Sequence, residues 1–162
     1  MSFLIERARP EMASALTTIA FEAKASWGYP REWLEVWRST LTICPEYIVS
    51  HSVFVAISTS SADESWVLGL VALEDHSDHF SLGHLWVRPA AQKRGVGRRL
   101  VEHVLGDARA VAPGRGVRVE SDPNAAGFYA RMGATRIGYV PAPVAGDSGR
   151  TLPLFEFKSR TS

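Results

Sequence analysis

The sequence holds a single cysteine, Cys44, which excludes an internal disulfide. Followed by Pro45 and with no activating partner nearby in sequence, it reads as a small buried hydrophobe at a chain bend, not a nucleophile. Long apolar runs are also missing. The longest, Trp66 to Leu73, falls far short of the roughly 20 residues that span a bilayer, and Met1 to Glu6 lacks the basic-then-apolar pattern of a signal peptide. A soluble, cytoplasmic protein with no membrane partner is expected. Neither sign of charge dominates: 18 Lys and Arg face 17 Asp and Glu, a net charge of +1 that argues against a general nucleic-acid binder. No acidic run suggests a polyamine site, and no repeat, long linker or low-complexity tract divides the chain.

What is present fits one packed domain spanning residues 1–162. Of the 162 residues 46% are hydrophobic, with 5 Trp and 7 Phe, enough for a single core and too short for two ordinary ones. The basic charge is local: eight basic residues (Arg88, Lys93, Arg94, Arg98, Arg99, Arg109, Arg115, Arg118) stand against Glu102 and Asp107, which suits a compact anionic ligand held in one place.

Along the chain, Phe3-Leu4-Ile5 reads as a short strand and Pro10 opens a helix whose Met12, Leu16, Ile19, Ala20 and Ala23 share a face, ending before Gly28. Trp33, Trp37 and Leu41 recur every four residues and predict a second helix with one apolar face. Val53, Val55 and Ile57, then Trp66 to Glu74 beyond the polar break Ser58 to Ser65, predict a hairpin. Asp75 to His79 is a charged turn; His76 and His79 lack a well-spaced third ligand, so no metal site is expected. Phe80 to Val87 is a strand, Gly95 to Ala108 a strongly periodic helix, Val117 to Glu120 a strand, Pro123 to Met132 a helix, and Thr135 to Val140 and Leu152 to Phe157 the last strands. The fold class is α/β, an antiparallel meander followed by βα units.

The chemistry concentrates in two segments. From His84 to Leu105 a strand runs into a loop, Gln92-Lys93-Arg94-Gly95-Val96-Gly97, at the start of the periodic helix. Glycines there let backbone N–H groups point outward, and the positive end of the helix dipole with Lys93, Arg94 and Arg98 makes a cradle for a diphosphate. Neither a dinucleotide GxGxxG nor a Gly-Lys-Ser/Thr phosphate loop is present. The second segment is Asn124-Ala125-Ala126-Gly127-Phe128-Tyr129-Ala130-Arg131-Met132-Gly133-Ala134.

Together these segments resemble the GNAT superfamily of acyl-CoA N-acyltransferases, which pairs a Gln/Arg-x-x-Gly-x-Gly/Ala motif with a downstream Asn-Ala-x-x-Phe-Tyr-x-x-x-Gly motif. The resemblance is sharp over residues 80–140 and architectural elsewhere, although Lys24 to Tyr29 (KASWGY) is similar to a stretch shared by one group within the superfamily. It implies a GNAT-like fold with a mixed central sheet whose fourth and fifth strands splay to hold acyl-CoA, flanked by about four helices. It also implies acetyl-CoA as co-substrate and no metal. The strand segment Leu85, Trp86 and Val87 is implied to hold pantetheine and the thioester carbonyl through the amides near Leu85 and Val87. The amides of Gln92, Lys93, Arg94, Gly95, Val96, Gly97 and Arg98 are implied to hold the pyrophosphate, with Asn124 on the cofactor arm, Phe128 beside it, and Tyr129 near the sulfur as catalytic acid. Elementary chemistry agrees with these residue types: amine attack on a thioester puts charge on oxygen, then on sulfur, and both need donors. A tyrosine at its usual pKa of about 10 loses its proton to a thiolate of about 8.5 only uphill, by roughly 2 kcal/mol, so a strong hydrogen bond that passes its proton late is expected.

The general base is missing from its usual place, because the strand positions where family members often carry Glu or His fall on Ser81 and Gly83. His84 is expected on the other side of the sheet by strand alternation. Glu22, Glu74, Glu120, Asp122 and a water chain stay open as alternatives. Acceptor choice is expected from Lys24 to Trp33 and from Pro141 to Arg150, where Trp27, Tyr29 and Trp33 either line a pocket or pin the helices to the sheet. The expected partner is a small-molecule or peptide amine, with a homodimer through the C-terminal strand as a further expectation. Two rival readings are a non-catalytic acyl-CoA sensor and a toxin-like acetylation of aminoacyl-tRNA; the net charge speaks against the latter.

Overall fold

A computed structural model describes residues 2–60 and 66–158, so the expected polar break at Ser58 to Ser65 lies partly outside the described residues. Seven strands form a mixed sheet in the order β1-β2-β3-β4-β5-β7-β6: β1 (Phe3–Arg7), β2 (Ser52–Ser58), β3 (Val67–Asp75), β4 (Phe80–Val87), β5 (Val117–Glu120), β6 (Thr135–Pro141) and β7 (Thr151–Phe157). Among the described residues there are six α-helices, more than the four or so expected: α1 (Ala13–Ala25), α2 (Arg31–Val36), α3 (Arg38–Leu41), α4 (Pro45–Ser50), α5 (Val96–Val111) and α6 (Ala126–Arg131). The chain divides into two compact units, Met1–Leu73 with Gly83–Val104, and Glu74–Leu82 with Leu105–Ser162.

In the first unit β1, β2 and β3 run antiparallel. Period-2 alternation sends Val53 and Val55 to one face of β2, where they join Leu70 and Ala72 of β3 beneath Leu16, Ile19 and Ala20 of α1 and Ile48 of α4. Leu16, Ile19, Val53 and Val55 are fully buried, each contributing roughly 1.5–3 kcal/mol of hydrophobic stabilisation. Phe54 points to the other face and packs edge-on against His103 of α5, with ring centroids 4.4 Å apart.

Two expectations in this unit are corrected. The single helix expected through Trp33, Trp37 and Leu41 is broken at Trp37 (φ −84°, ψ 1°) into α2 and α3, and α2 contributes no buried residue. Cys44 is exposed, not buried. The hydroxyl of Thr17 in α1 accepts from the Ile43 amide at 2.9 Å and donates to the Ile43 carbonyl at 3.2 Å, fixing Ile43 in the core. The next residue then faces outward, extended as a residue before proline must be, and Pro45 starts α4.

The second unit is built on β5, which pairs parallel with the start of β4 (Phe80–Val117, Ser81–Arg118) and antiparallel with β7. β7 in turn pairs with β6. The C-terminal strand is thus interior and β6 forms the edge.

Gly69 of β3 marks a close backbone approach between β3 and β4. A Cβ there would lie 2.7 Å from the Trp86 carbonyl oxygen and 3.2 Å from the Val87 Cα, both backbone atoms of β4 that cannot step aside. Gly69→Ala is expected to cost about 1–3 kcal/mol. A thermal melt checks this, and an unchanged Tm would show that β3 and β4 separate freely.

Candidate active site

The residues of the first unit expected to bind the donor start at the end of β4. The Arg88 amide donates to the Leu68 carbonyl of β3 at 2.9 Å. By strand alternation, Trp86 shares that edge, and the amides of Leu85 and Val87 point to the opposite edge of β4. On that edge the Val87 carbonyl accepts from the Gln92 side chain at 3.1 Å. The motif glutamine therefore does something its backbone role did not announce: it ties the loop to the end of the strand. A second tie comes from Arg88, whose Nε donates to the Val67 carbonyl at 2.7 Å while its guanidinium pairs with Glu22 of α1 at 3.1 Å. A hollow of about 710 Å³ is lined there by Glu22, Ala25, Ser26, Arg88, Pro89 and Ala90.

Beyond a 3-10 turn at Pro89–Ala91, Lys93 (φ 63°) and Gly95 (φ 82°) both take left-handed backbone, which folds the loop back on itself before α5 starts at Val96. Gly95 is the residue type that adopts this at least cost. The side chain of Val96 is buried, anchoring the helix start, while Gln92, Lys93, Arg94 and Arg98 are exposed. The first amides of a 16-residue helix, Val96, Gly97 and Arg98, have no intrahelical acceptor and carry the positive end of the dipole. Arg98 also pairs with Glu102 one turn on, at 3.0 Å, which tempers its charge.

The second unit carries the remaining motif residues. Buried Asp122 caps the turn before α6: its Oδ1 accepts the Asn124 amide at 2.8 Å and the Asn124 side chain at 3.0 Å. The side chain of Asn124 is thereby oriented while the residue stays exposed. Tyr129 is buried, its ring 5.2 Å from half-buried Phe128, 6.1 Å from Phe155 and 6.4 Å from Phe157. Burial first, and the negative charge of Asp122 second, push the phenol well above its ordinary pKa. That shift favours the protonated form, the form that can donate a hydrogen bond. Pro141–Arg150 also lies in this unit and folds on itself, with Val144 bridged to Asp147.

Most candidates for a base are engaged by neighbours, while Glu120 at the end of β5 is exposed. The donor-only indole Nε1 of Trp86 gives its hydrogen bond to Nδ1 of His84 at 2.9 Å, so the neutral imidazole carries its proton on Nε2. His84 and Trp86, two residues apart, share a face as strand alternation requires, and the Tyr47 ring meets His84 edge-on at 5.4 Å. Glu22 is paired with Arg88, Glu74 lies 3.3 Å from His76, and Asp122 is a cap. Among the described residues no group of three or more His, Cys, Asp or Glu could hold a metal ion. No described helix is long and apolar enough to cross a membrane.

A mixed seven-stranded sheet whose fourth strand ends in a left-handed glycine loop and a long helix defines an acyltransferase-type α/β fold. The chain matches the model of the acetyltransferase (GNAT) domain over residues 50–133 and belongs to that family. Its fold is similar to a GCN5-related N-acetyltransferase structure from Rhodopseudomonas palustris (19% identity, 98% of this chain and 96% of that one, TM-score 0.75). It is similar also to the PaiA N-acetyltransferase of Thermoplasma acidophilum in complex with coenzyme A (19%, 98% and 99%, TM-score 0.70). A third similar fold is the ribosomal-protein-S18-alanine N-acetyltransferase of Escherichia coli (15%, 99% and 96%, TM-score 0.70). A search of curated protein sequences finds no match.

Proposed function

We propose that residues 1–162 act as one GNAT domain that transfers an acetyl group from acetyl-CoA to a primary amine of a small molecule or peptide, by direct attack in a ternary complex. The observation that carries this reading is the end of β4, where alternation from the Arg88 amide turns the Leu85 and Val87 amides away from β3, followed directly by the left-handed loop and the N-terminus of α5. These residues fit an acyl-CoA: a strand edge suits the peptide-like pantetheine arm, and helix N-terminal amides flanked by Lys93 and Arg94 suit a pyrophosphate. Asn124 binds the cofactor arm, with Phe128 beside it.

The amine nitrogen attacks the thioester carbonyl and the oxyanion takes the Val87 N–H. Collapse breaks the C–S bond, and Tyr129 supports the leaving sulfur with a hydrogen bond. The amine proton passes to water or to exposed Glu120, since His84, Glu22, Glu74 and Asp122 are each engaged otherwise. That engagement also favours a second reading, an acyl-CoA sensor without turnover. Thiol release from acetyl-CoA against a panel of amines, amino acids and peptides, with a thermal-shift titration of CoA, separates them. Acceptor-dependent release is expected, with kcat/KM rising along the ionisation of the acceptor amine and no histidine step near pH 6.5. Tight CoA binding without release for any acceptor would establish the sensor, and no CoA binding would overturn both.

A further inference from the structure

The direction of the Val87 amide is set by the peptide planes on either side of its Cα. In the Trp86–Val87 plane the carbonyl oxygen lies against Gly69 of β3, where a Cβ would come within 2.7 Å of it. In the Val87–Arg88 plane the carbonyl accepts from the Gln92 side chain at 3.1 Å, and the amide donates to the Leu68 carbonyl at 2.9 Å. The Arg88 backbone stands near polyproline II (φ −51°, ψ 138°), the region to which the following Pro89 restricts it. Pro89 itself has no N–H and adds no backbone donor.

The side chain of Arg88 supplies a further anchor. Its Nε donates to the Val67 carbonyl at 2.7 Å, beside the register shift between β2 and β3 at Ala56 and Ile57, and its Nη1 donates to Oε2 of Glu22 on α1 at 3.1 Å. A planar guanidinium makes both bonds from one fixed fork, which the point charge of a lysine cannot reproduce. The side chain of Arg88 is 19% exposed and that of Glu22 46%. A pair this open to water contributes little to stability, so its consequence is geometric. The residue that follows Val87 is tied to a strand and to a helix together. Without the bridge, Arg88 keeps its backbone bond to Leu68 as its hydrogen bond to β3. We infer that Arg88 is a positioning residue for the Val87 donor: by bridging Val67 of β3 and Glu22 of α1, it holds the end of β4 in the orientation that points the Val87 N–H at the thioester oxygen. The inference rests on the transferase reading, in which that amide takes the oxyanion. Arg88 acts through the backbone and not on the reacting atoms.

The thioester itself reports the effect. Acetyl-CoA labelled with carbon-13 at the acetyl carbonyl is bound to the full chain without an acceptor, and the infrared stretch of that carbonyl is compared with its value in water. In the wild type the stretch is expected to fall, because a hydrogen-bond donor polarises the C=O bond. Arg88→Met is expected to lose most of that fall with CoA affinity little changed. Its kcat for thiol release should drop about 10- to 100-fold at an unchanged KM for acetyl-CoA, the cost of a displaced donor. Glu22→Leu, at a half-exposed position, is expected to lose part of the infrared shift, and Glu22→Gln, whose amide oxygen still accepts from Arg88, to keep it. The double variant Arg88→Met with Glu22→Leu should lose no more than Arg88→Met alone, since both substitutions break one bridge. A shift that survives Arg88→Met or Glu22→Leu, losses that add in the double variant, or a loss of CoA affinity as large as the loss of shift would each overturn the inference and leave the Val87 donor standing. No shift in the wild type would remove that donor from the transferase reading, and the inference with it.

Discussion

Tyr129→Phe is expected to lower kcat for thiol release by about 10²–10⁴-fold with CoA affinity little changed. The aromatic neighbours Phe128, Phe155 and Phe157 hold the ring in place, so phenylalanine keeps the packing and only the hydroxyl is lost. Because burial and Asp122 hold the phenol well above its ordinary pKa, a complete proton transfer to the thiolate is even less favourable than the ordinary values suggest. On the proposed mechanism the hydroxyl supports the developing charge on sulfur by donating a hydrogen bond, without giving up its proton. An unchanged kcat in single-turnover thiol release would take Tyr129 out of the mechanism.

The same shift has a stability signature. A phenol whose pKa is raised on folding contributes fully below the unfolded value of about 10 and loses that contribution as pH climbs through its folded value. The wild-type chain is therefore expected to lose stability above about pH 10, and Tyr129→Phe to lose less over the same range, as read from unfolding curves at matched ionic strength.

What the sequence made legible follows from how local each signal is. Strands β4 and β5 lie where they were expected, because the alternation of each is closed by turn residues on both sides. The start of α5 was legible for a similar reason, a glycine loop handing over to a strict apolar period. The break at Trp37 and the extra helix α4 were not, because both depend on where α1 lies: Thr17 fixes Ile43, and that contact spans 26 residues. The exposure of Cys44 is a by-product of the same contact.

In the candidate site, the motif residues were legible as types and their partners were not. Strand alternation puts Trp86 and His84 on one face but does not say that the indole commits Nδ1, and nothing local announces that Glu22 meets Arg88 across 66 residues. Gly69 does carry a local signal, since a glycine inside a run of β-formers marks a close backbone approach. These pairings carry much of the chemistry, for they decide which groups are left to take or give protons.

The backbone donor on β4 has the other large expected effect. Replacing the Val87 amide by an ester, with an α-hydroxy acid at that position, removes one N–H and leaves every side chain in place. If Val87 stabilises the thioester oxyanion, kcat falls by about 10²–10³-fold with CoA affinity nearly unchanged, the cost of a single oxyanion donor. The strand supplies its own control. By alternation from the Arg88 amide, which bonds to Leu68 of β3, the Trp86 amide faces β3, so an ester at position 86 is expected to cost about 1 kcal/mol of stability and little activity. Equal losses of kcat from the two esters would mean that the strand matters only as a scaffold. A loss confined to position 87 would place the oxyanion on the edge of β4 that faces away from β3.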